Sequence, residues 1–344
     1  MTSPPKAVDL FCGAGGLSEG LRRAGYAVVG AVELDPLACM AYRANHEDVQ
    51  LWECDIRRVT GTELMRELRL RKGQLDLLAA CPPCQGFSTI RTRNGQRRNR
   101  DKRNDLIADV LRLARSLRPK AIMLENVPGL AKNRRFFQLC RGLAALGFRL
   151  KWQVLDTADF GVPQRRKRLV LIGSRMFEPQ FAPKARYRRT VRHAIGKLAS
   201  PGRSRDELHG YAVRLSPRVK SLIKRIPKNG GSRAALNSEQ ELRCHRDLDG
   251  FRDVYGRMKW DRPSPTLTGG CINPSKGRFL HPTANRPITL REAALLQTFP
   301  SSYRFPLDHG RYAAATLIGN ALPPEFIRRH ALALRKLHAR GGKR

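Results

Sequence analysis

A pair of cysteines on a proline-containing turn is the strongest chemical feature of this sequence. Cys81 and Cys84 flank two prolines directly after the apolar run 75–80, which is short enough to be a buried strand. Prolines end regular structure, so this turn presents Cys84 at the carboxyl end of the strand, where open α/β sheets place their ligands. The Cys84 thiol is therefore a candidate nucleophile or metal ligand, with ordinary packing as the alternative.

The spacing of the two cysteines also matches half a zinc site or a redox pair. Zinc requires a second pair of ligands, and the one candidate, Cys244-His245, is adjacent rather than spaced, so no metal is expected. No unit of thioredoxin size surrounds the pair. The sequence therefore favours Cys84 as the nucleophile and Cys81 as buried packing at the strand end.

A carboxylate and a basic run lie close to two later predicted strands. Glu125 directly follows the strand predicted over 121–124, and if that strand neighbours 75–80, Glu125 and Cys84 lie side by side. A thiolate beside a carboxyl group suits attack on an electron-poor ring whose nitrogen is protonated as the sulfur adds. Arg166 and Arg168, placed on one face by strand alternation, would clamp an anion or carbonyl there. The alternatives are a helix-capping acid and a solvated basic turn.

A glycine-rich turn at 9–17 connects the first predicted strand to a helix, so a ligand can approach the backbone closely. Its glycine spacing is not the dinucleotide fingerprint. Glu33 ends the second strand and Asp55 follows a third apolar stretch, where carboxylates can accept ribose hydroxyls and an adenine amino group. Together these residues predict a cofactor that contains a nucleoside but needs no pyrophosphate site.

The elements that must position these groups alternate over residues 7–183. Short apolar runs separated by amphipathic stretches predict a parallel α/β sheet with helices on both faces, and Thr60 and Glu63 have the spacing of a capping box. Near residue 184 the periodicity weakens, so we expect a smaller irregular domain over 184–290. Residues 291–344 are predicted to form a hinge and a C-terminal helix that returns to the first domain.

The charge of the chain indicates a polyanionic partner. Lysine and arginine total 66 against 29 acidic residues, which gives a net charge of +37, and most of the cations are arginine. The alternative is a solvated basic surface from an arginine-rich proteome. No apolar run reaches the length of a membrane helix, no signal peptide precedes the first strand, and the 8 cysteines have no disulfide pattern, so we expect a cytoplasmic protein with reduced thiols.

Several sequence blocks occur in the order found in DNA (cytosine-5) methyltransferases, and the chain resembles a bacterial restriction–modification type enzyme of that family. The blocks are residues 9–16, Glu33, 82–88, 125–127, 164–168, 291–300 and 319–321. The resemblance covers about 7–183 and 260–330 and is absent from 185–258. One departure is Leu34, where many relatives carry an aromatic residue against the adenine. The resemblance implies a Rossmann-like methyltransferase sheet plus a target-recognition domain over 184–290.

The resemblance also implies roles for individual residues. The cofactor would be S-adenosylmethionine, bound by Phe11, Gly13, Gly15, Leu17, Glu33, Asp55, Ile56, Pro83 and Asn320. Cys84 would attack C6 of a flipped cytosine, Glu125 would donate to N3, and Arg168 with Arg166 would contact O2. Contacts with DNA are expected from Gln85, Ser88, Arg91, Arg93, Arg97 and Thr266, with the arginine-rich stretch 91–103 as a lid over the site or simply a surface loop.

The expected partner is double-stranded DNA, with a cognate restriction endonuclease acting independently, no membrane, and the enzyme itself a monomer in the bacterial cytoplasm. Two other functions are kept open by the residues. One branch of the family methylates tRNA cytosine by the same chemistry, although the large 185–290 segment and the lack of that branch's Cys-Phe-Thr signature argue against it. A non-catalytic DNA-binding regulator would have no use for Cys84, Glu125 and Arg168.

Overall fold

The computed structural model describes residues 3–83, 106–210, 213–236 and 253–341, with side chains up to residue 337. The chain forms two compact units, each with a buried apolar core of its own. Unit 1 comprises residues 1–160, 167–184 and 322–344, and unit 2 comprises 161–166 and 185–321. The predicted boundaries differ in that 161–166 and 291–321 belong to unit 2; the functions assigned to the domains stay predictions.

A seven-stranded sheet forms the centre of unit 1, with strand order β3-β2-β1-β4-β5-β7-β6. The strands are β1 Lys6–Leu10, β2 Ala27–Glu33, β3 Gln50–Glu53, β4 Leu77–Ala80, β5 Ala121–Asn126, β6 Arg149–Asp156 and β7 Lys167–Ser174. Strands β1 to β5 are parallel to one another, whereas β7 is antiparallel to both of its neighbours, β5 and β6. The predicted α/β fold class is confirmed. The prediction that all strands of the sheet are parallel is wrong, because β7 runs in the opposite direction.

The prediction also missed β6, for a physical reason. β6 lies at the edge of the sheet and pairs with β7, and most of its residues are exposed, including Trp152 and Val154; its apolar residues alternate with polar ones instead of forming a continuous run. Short continuous apolar runs indicate strands that are buried on both faces, and an exposed edge strand does not have this pattern. The antiparallel β6–β7 pair also needs no crossover helix, which removes the alternation of elements on which the prediction relied.

Ten helices in the described ranges surround or follow the sheet. They are α1 Gly16–Arg23, α2 Pro36–Arg43, α3 Gly61–Glu67, α4 Ile107–Leu117, α5 Arg134–Ala145, α6 Val191–Ile195, α7 Pro217–Arg225, α8 Leu290–Leu296, α9 Arg311–Asn320 and α10 Pro324–Gly341. The capping box predicted for α3 is confirmed, because Thr60 accepts from the Glu63 backbone N–H and Glu63 accepts from that of Thr60. None of these helices is long and apolar enough to span a bilayer.

The last helix, α10, packs against the first helix of unit 1. A Cβ atom added at Gly20 of α1 would lie 2.5 Å from Cβ of Ile327 and 2.6 Å from the carbonyl oxygen of Pro324. Such distances are well inside van der Waals contact, so the two helices approach as closely as they do because residue 20 has no side chain. This contact holds α1, and with it the glycine-rich turn that precedes α1.

Unit 2 is organised around a buried arginine. The side chain of Arg257 is fully buried and donates hydrogen bonds to the carbonyl oxygens of Ile223 and Ile226 at the end of α7. It also donates to the carbonyl oxygens of His281 and Ala284 and to Oδ1 of Asn285. All these acceptors are neutral, so the guanidinium replaces water for several carbonyls at once and fixes the end of α7.

Replacing Arg257 with methionine should destabilise unit 2, because the carbonyl oxygens of Ile226, His281 and Ala284 would lose the donor that Arg257 supplies, and that of Ile223 would keep only a backbone N–H. Each unsatisfied group costs about 1–3 kcal/mol, so we expect a loss on the order of 3 kcal/mol or more. Arg192→Met, which removes an exposed ion pair with Asp261 and a cation–π contact with Trp260, is the control and should cost about 1 kcal/mol or less. Thermal unfolding together with amide hydrogen exchange in α7 measures both. Equal stability of the two variants would contradict this role for Arg257.

Candidate active site

The carboxyl ends of β4 and β5 lie side by side, so the condition on which the sequence placed Glu125 beside the turn after β4 is met. Ala80, the last residue of β4, is in register with Leu124, which precedes Glu125 in β5. The chain leaving β4 remains tied to the sheet, because the backbone N–H of Cys81 donates to the carbonyl oxygen of Leu10 in β1 at 3.1 Å. Cys81 is therefore held between the ends of β1 and β5, where the turn that leads to Cys84 begins.

Glu125 is almost completely buried at this edge, with 2% of its surface exposed. Its Oε1 lies 2.7 Å from Nε of Arg168, and its Oε2 accepts a hydrogen bond from the Cys81 thiol at 3.1 Å. Glu125 thus lies within β5 rather than after it. Cys81, predicted to be mere packing, is in direct contact with the candidate catalytic acid, and this correction could not come from sequence spacing.

The Cys81 thiol remains protonated in this environment. Burial raises its pKa well above the ordinary value, and the neighbouring Glu125 charge and hydrogen bond raise it further. A protonated thiol can donate to a carboxylate but is a poor nucleophile. This distinguishes Cys81 chemically from a cysteine that must attack a ring.

Asn126 makes the next contact between the two strand ends. Its Nδ2 donates to the carbonyl oxygen of Pro82 at 2.9 Å, while its Oδ1 accepts from the backbone N–H of Val127 at 2.8 Å. Glu125 and Asn126 at the end of β5 therefore bind the two residues that follow β4, Cys81 and Pro82. The backbone is fixed up to Pro82, and the following Pro83 is exposed.

A second group of predicted site residues lies at the ends of β1 and β2. The Gly13 backbone N–H donates to Oε2 of Glu33 at 2.8 Å, and Oε1 of Glu33 accepts from the backbone N–H groups of Leu34 and Asp35. Phe11, Gly13 and Gly15 have positive φ angles of 62°, 55° and 88°, which shape the turn before α1. A Cβ added at Gly13 would contact nothing within 4 Å, so open space lies above it.

Other predicted cofactor residues are placed less directly. Asp55 caps the short 3₁₀ turn after β3, and hydrogen bonds from the Arg57 side chain lower its pKa to about 2. Leu17 and Ile56 are buried and pack into unit 1. Asn320 is the exposed last residue of α9 in unit 2. The structure thus brings Gly13 and Glu33 together and leaves Leu34 exposed beside them.

Asp9 is a fully buried acid in β1, just before the glycine-rich turn. Its Oδ2 accepts from the Ser18 hydroxyl at 2.6 Å, and Ser18 also contacts the Tyr42 hydroxyl at 2.8 Å. Oδ1 has no hydrogen-bond partner within the described part of the chain. Burial raises the pKa of Asp9 from 3.8 to about 7; the Ser18 hydrogen bond opposes this rise and the Glu33 charge adds to it.

Arg166 and Arg168, predicted to form one clamp, have different partners. Arg168 contacts Glu125 in unit 1, whereas Arg166 is buried in unit 2 and donates to the carbonyl oxygens of Leu267 and Gly319, each at 2.9 Å. Arg166 lies just before β7, so the alternation of strand residues does not apply to it. Thr266 donates its hydroxyl to the carbonyl oxygen of Arg165 at 2.8 Å.

Six predicted site residues lie outside the described residues: Cys84, Gln85, Ser88, Arg91, Arg93 and Arg97. Their roles stay predictions. Among the residues that are described, no cluster of three or more histidine, cysteine, aspartate or glutamate side chains could hold a metal ion. The candidate site is therefore built from Glu125, Arg168, Cys81 and Asn126, next to the Gly13–Glu33 turn.

The sequence model of the C-5 cytosine-specific DNA methylase family matches residues 6–336, nearly the whole chain. The chain belongs to this family. The type II methylase M.HgiDII of Herpetosiphon aurantiacus is 36% identical over 92% of this chain and 91% of its own length. The type II methyltransferase M1.HphI of Haemophilus parahaemolyticus is 33% identical over 96% of this chain and 87% of its own length.

Solved structures show that the methylase fold extends over the chain. A structure from E. coli, of a prophage-encoded protein assigned as a DNA modification methyltransferase, matches with a TM-score of 0.70 at 24% identity, covering 97% of this chain and 99% of that one. The S. pombe Dnmt2 methyltransferase matches with a TM-score of 0.63 at 18% identity and the same coverage. The predicted family, fold class and enzyme class, a DNA cytosine-5-methyltransferase, are confirmed.

The buried acid Asp9 predicts a particular pH dependence of the methylase's stability. Because its pKa is higher in the folded protein, about 7, than the ordinary 3.8, the folded state retains a proton that the unfolded state releases. The stabilisation of the folded state by this retained proton is therefore complete below about pH 4. It falls as the pH rises to about 7, and the free energy of unfolding no longer changes with Asp9 above that pH. The difference is on the order of 4 kcal/mol.

Asp9→Asn should remove this pH dependence and make the methylase more stable than the wild type at pH 8, with little difference at pH 4. Thermal unfolding between pH 4 and pH 8 measures it. Asp48→Asn, at an exposed position, serves as the control and should leave the wild-type profile unchanged. Parallel profiles for the wild type and Asp9→Asn would show that Asp9 does not titrate as described.

Proposed function

We propose that this methylase transfers a methyl group from S-adenosylmethionine to C5 of a specific cytosine in double-stranded DNA, through a covalent bond between Cys84 and C6. The observation that carries the proposal is Glu125, buried at the joint end of β4 and β5 and contacted by Arg168 at 2.7 Å. A carboxyl group beside the turn that leads to a cysteine is what addition to a pyrimidine ring requires, because the ring must be protonated as the sulfur adds.

The ends of β1, β2 and β3 fit the proposed cofactor. The open space above Gly13 and the partly exposed carboxylate of Glu33 suit a ribose, and the exposed Leu34 offers an apolar surface to an adenine ring. S-adenosylmethionine supplies an electrophilic methyl group on a sulfonium sulfur. Asp55 is already paired with Arg57, so its proposed contact with the adenine amino group requires sharing or opening that pair.

The proposed roles of the remaining cofactor residues follow from their positions. Phe11, Gly15 and Pro83 border the turns that face this edge, whereas Leu17 and Ile56 support the pocket from the core. Asn320 is proposed to contact the methionine part of the cofactor. These assignments rest on the resemblance of the motifs together with the placement of each residue.

The chemistry at the base is proposed as follows. The target cytosine leaves the stack, because its C5 and C6 atoms are inaccessible inside the duplex. The Cys84 thiolate forms a bond to C6 as Glu125 delivers a proton to N3, and the electron pair at C5 would take the methyl group from the sulfonium, which would leave as the neutral thioether. Loss of the C5 proton to water then breaks the Cys84–C6 bond and regenerates the thiolate, and N3 returns its proton to Glu125. Arg168 is proposed to contact O2.

Arg166 receives a different proposed role from the one first predicted. Its guanidinium is buried and donates to two carbonyl oxygens of unit 2. A side chain held in this way orders the segments around Leu267 and Gly319 rather than contacting a base. We therefore propose Arg166 as a positioning residue and Arg168 as the arginine of the reaction.

The proposed setting is restriction–modification in the bacterial cytoplasm, because M.HgiDII and M1.HphI are both named as type II enzymes. A cognate endonuclease would act independently on the same sequence, and the methylase would act as a monomer. Residues 184–290 are proposed as the target-recognition region. The proposed DNA contacts are Thr266, Gln85, Ser88, Arg91, Arg93 and Arg97.

Helix α7 is the best described candidate for a phosphate-binding surface in unit 2. Its apolar side, formed by Leu222 and Ile223, packs into the core of unit 2, and Arg257 fixes its end. Its other side exposes four cations, and the sequence from 214 to 228 contains no acidic residue. These cations are Arg218, Lys220, Lys224 and Arg225. A helix whose basic face has no ion-pair partner within the described ranges can position the protein along a DNA backbone.

The methyl-transfer proposal is tested by Glu125→Gln, which keeps the size of the side chain but cannot give up a proton. We expect the rate of methyl incorporation into duplex DNA to fall by about 100-fold or more, and the wild type to show little incorporation into tRNA. The control Glu67→Gln changes an exposed glutamate and should have wild-type activity. Bisulfite sequencing of the product identifies the modified cytosine.

Two outcomes would contradict the proposal. Faster incorporation into tRNA than into DNA would favour the tRNA enzyme, and wild-type rates in Glu125→Gln would remove Glu125 from the reaction.

The DNA-binding proposal for α7 is tested by replacing Lys220, Lys224 and Arg225 with glutamine. Each lost phosphate contact lowers the slope of log affinity against log salt concentration by about 0.9, so the triple variant should lose about 2 to 3 of the wild-type slope. The matched control replaces three other exposed cations, Arg71, Lys72 and Arg115, with glutamine. These residues lie near the amino ends of β4 and β5. Equal slopes for the two triple variants would show that α7 does not contact phosphates.

A further inference from the structure

We propose that Cys81 is a positioning residue for Glu125: its thiol donates to Oε2 and thereby holds the carboxyl group so that Oε1 is the oxygen that meets the base. The inference rests on the proposed role of Glu125 and deepens it. Cys81 is three residues before the proposed nucleophile, and nothing in the reaction as described so far uses it. Its sulfur nevertheless lies 3.1 Å from Oε2 of Glu125.

The backbone geometry makes Cys81 a rigid donor. Its N–H is bound to the carbonyl oxygen of Leu10, and the next residue, Pro82, is bound through its carbonyl oxygen to Asn126. The backbone on both sides of the thiol is thus tied to strands that neighbour β4, and the side chain has a single torsion that moves the sulfur. A donor fixed in this way fixes its acceptor, so the orientation of the Glu125 carboxyl group is set from β4.

The two oxygens of Glu125 are not equivalent. Oε2 accepts the hydrogen bond from Cys81. Oε1 is buried next to Arg168 Nε but receives no aligned hydrogen bond within the described residues, so the Arg168 contact is electrostatic. Oε1 therefore keeps its hydrogen-bonding capacity for a substrate, and Arg168 supplies a nearby positive charge. Without Cys81, the carboxyl group could rotate and exchange the two oxygens.

A thiol suits this position for two reasons. It remains protonated beside a carboxylate, because burial and the Glu125 charge both oppose its ionisation. It is also a weaker donor than a hydroxyl, so it orients the carboxyl group without strongly opposing the change in charge that general acid catalysis requires. A buried carboxylate oxygen without any donor would carry a desolvation cost, which the Cys81 contact reduces.

The alternative is that Cys81 merely fills space, and two pairs of substitutions separate the two roles. Cys81→Thr and Cys81→Val are matched in shape and differ in whether the side chain can donate, as do the smaller pair Cys81→Ser and Cys81→Ala. If hydrogen-bond donation by residue 81 matters, kcat for duplex methylation should be about tenfold lower in Cys81→Val than in Cys81→Thr. The same difference is expected between Cys81→Ala and Cys81→Ser. The KM for DNA and for the cofactor should stay within about twofold throughout.

The outcome that overturns the inference is dependence of kcat on side-chain volume instead of on donation, or equal kcat within each pair. Thermal unfolding of each variant shows whether it folds. If one pair of variants fails to fold, the other pair alone decides between hydrogen-bond donation and side-chain volume. In a Glu125→Gln background the difference within each pair should disappear.

The proposed function fails separately. If Glu125→Gln is fully active, Glu125 is not the catalytic acid, whatever the Cys81 pairs show. If Glu125→Gln is inactive and the pairs follow volume, only the role of Cys81 is wrong.

Discussion

The contact between the ends of β4 and β5 is the constraint on which the rest of the site depends. Glu125 buries a carboxyl group almost completely, and such a group is stable only if its oxygens have partners. Cys81 donates a hydrogen bond to Oε2 and Arg168 places a positive charge beside Oε1, one from each neighbouring strand end. Asn126 adds a bond to the Pro82 carbonyl oxygen, so the turn toward Cys84 starts from a fixed backbone. The stability of the buried acid and the direction of the turn are thus consequences of the same few bonds.

The direction of β7 explains how Arg168 reaches this edge. Arg168 is the second residue of its strand, and the amino end of a strand lies at the carboxyl edge of a parallel sheet only if that strand is antiparallel. A sheet parallel throughout, as the alternation of elements predicted, would have placed Arg168 at the opposite edge from Glu125. The unpredicted strand β6 is connected to this reversal, because β6 and β7 form the antiparallel pair that completes the sheet.

Much of the site could be predicted from the sequence because its parts follow strand ends. The position of Glu33 at the end of β2, near the glycine-rich turn, and the capping box of α3 follow from local pattern and spacing, whereas the pairing of β4 with β5 entered the sequence analysis only as a condition. The contact of Cys81 with Glu125 could not, since 44 residues separate them and a cysteine at a strand end has the composition of ordinary core. The separate partners of Arg166 and Arg168 depend on tertiary packing, which strand periodicity does not encode.

The two cysteines, three residues apart, are proposed to have different roles: Cys84 forms the bond to the base, and Cys81 orients Glu125. The most direct test is to react the methylase and S-adenosylmethionine with duplex DNA that contains 5-fluorocytosine at the target. After methyl transfer the fluorine cannot leave C5 as a proton does, so the adduct is trapped. Mass spectrometry of the digested complex then locates the attached cysteine. The account predicts attachment at Cys84 alone, retained in Cys81→Ser and lost in Cys84→Ala. Attachment at Cys81, or an adduct that persists in Cys84→Ala, would contradict it.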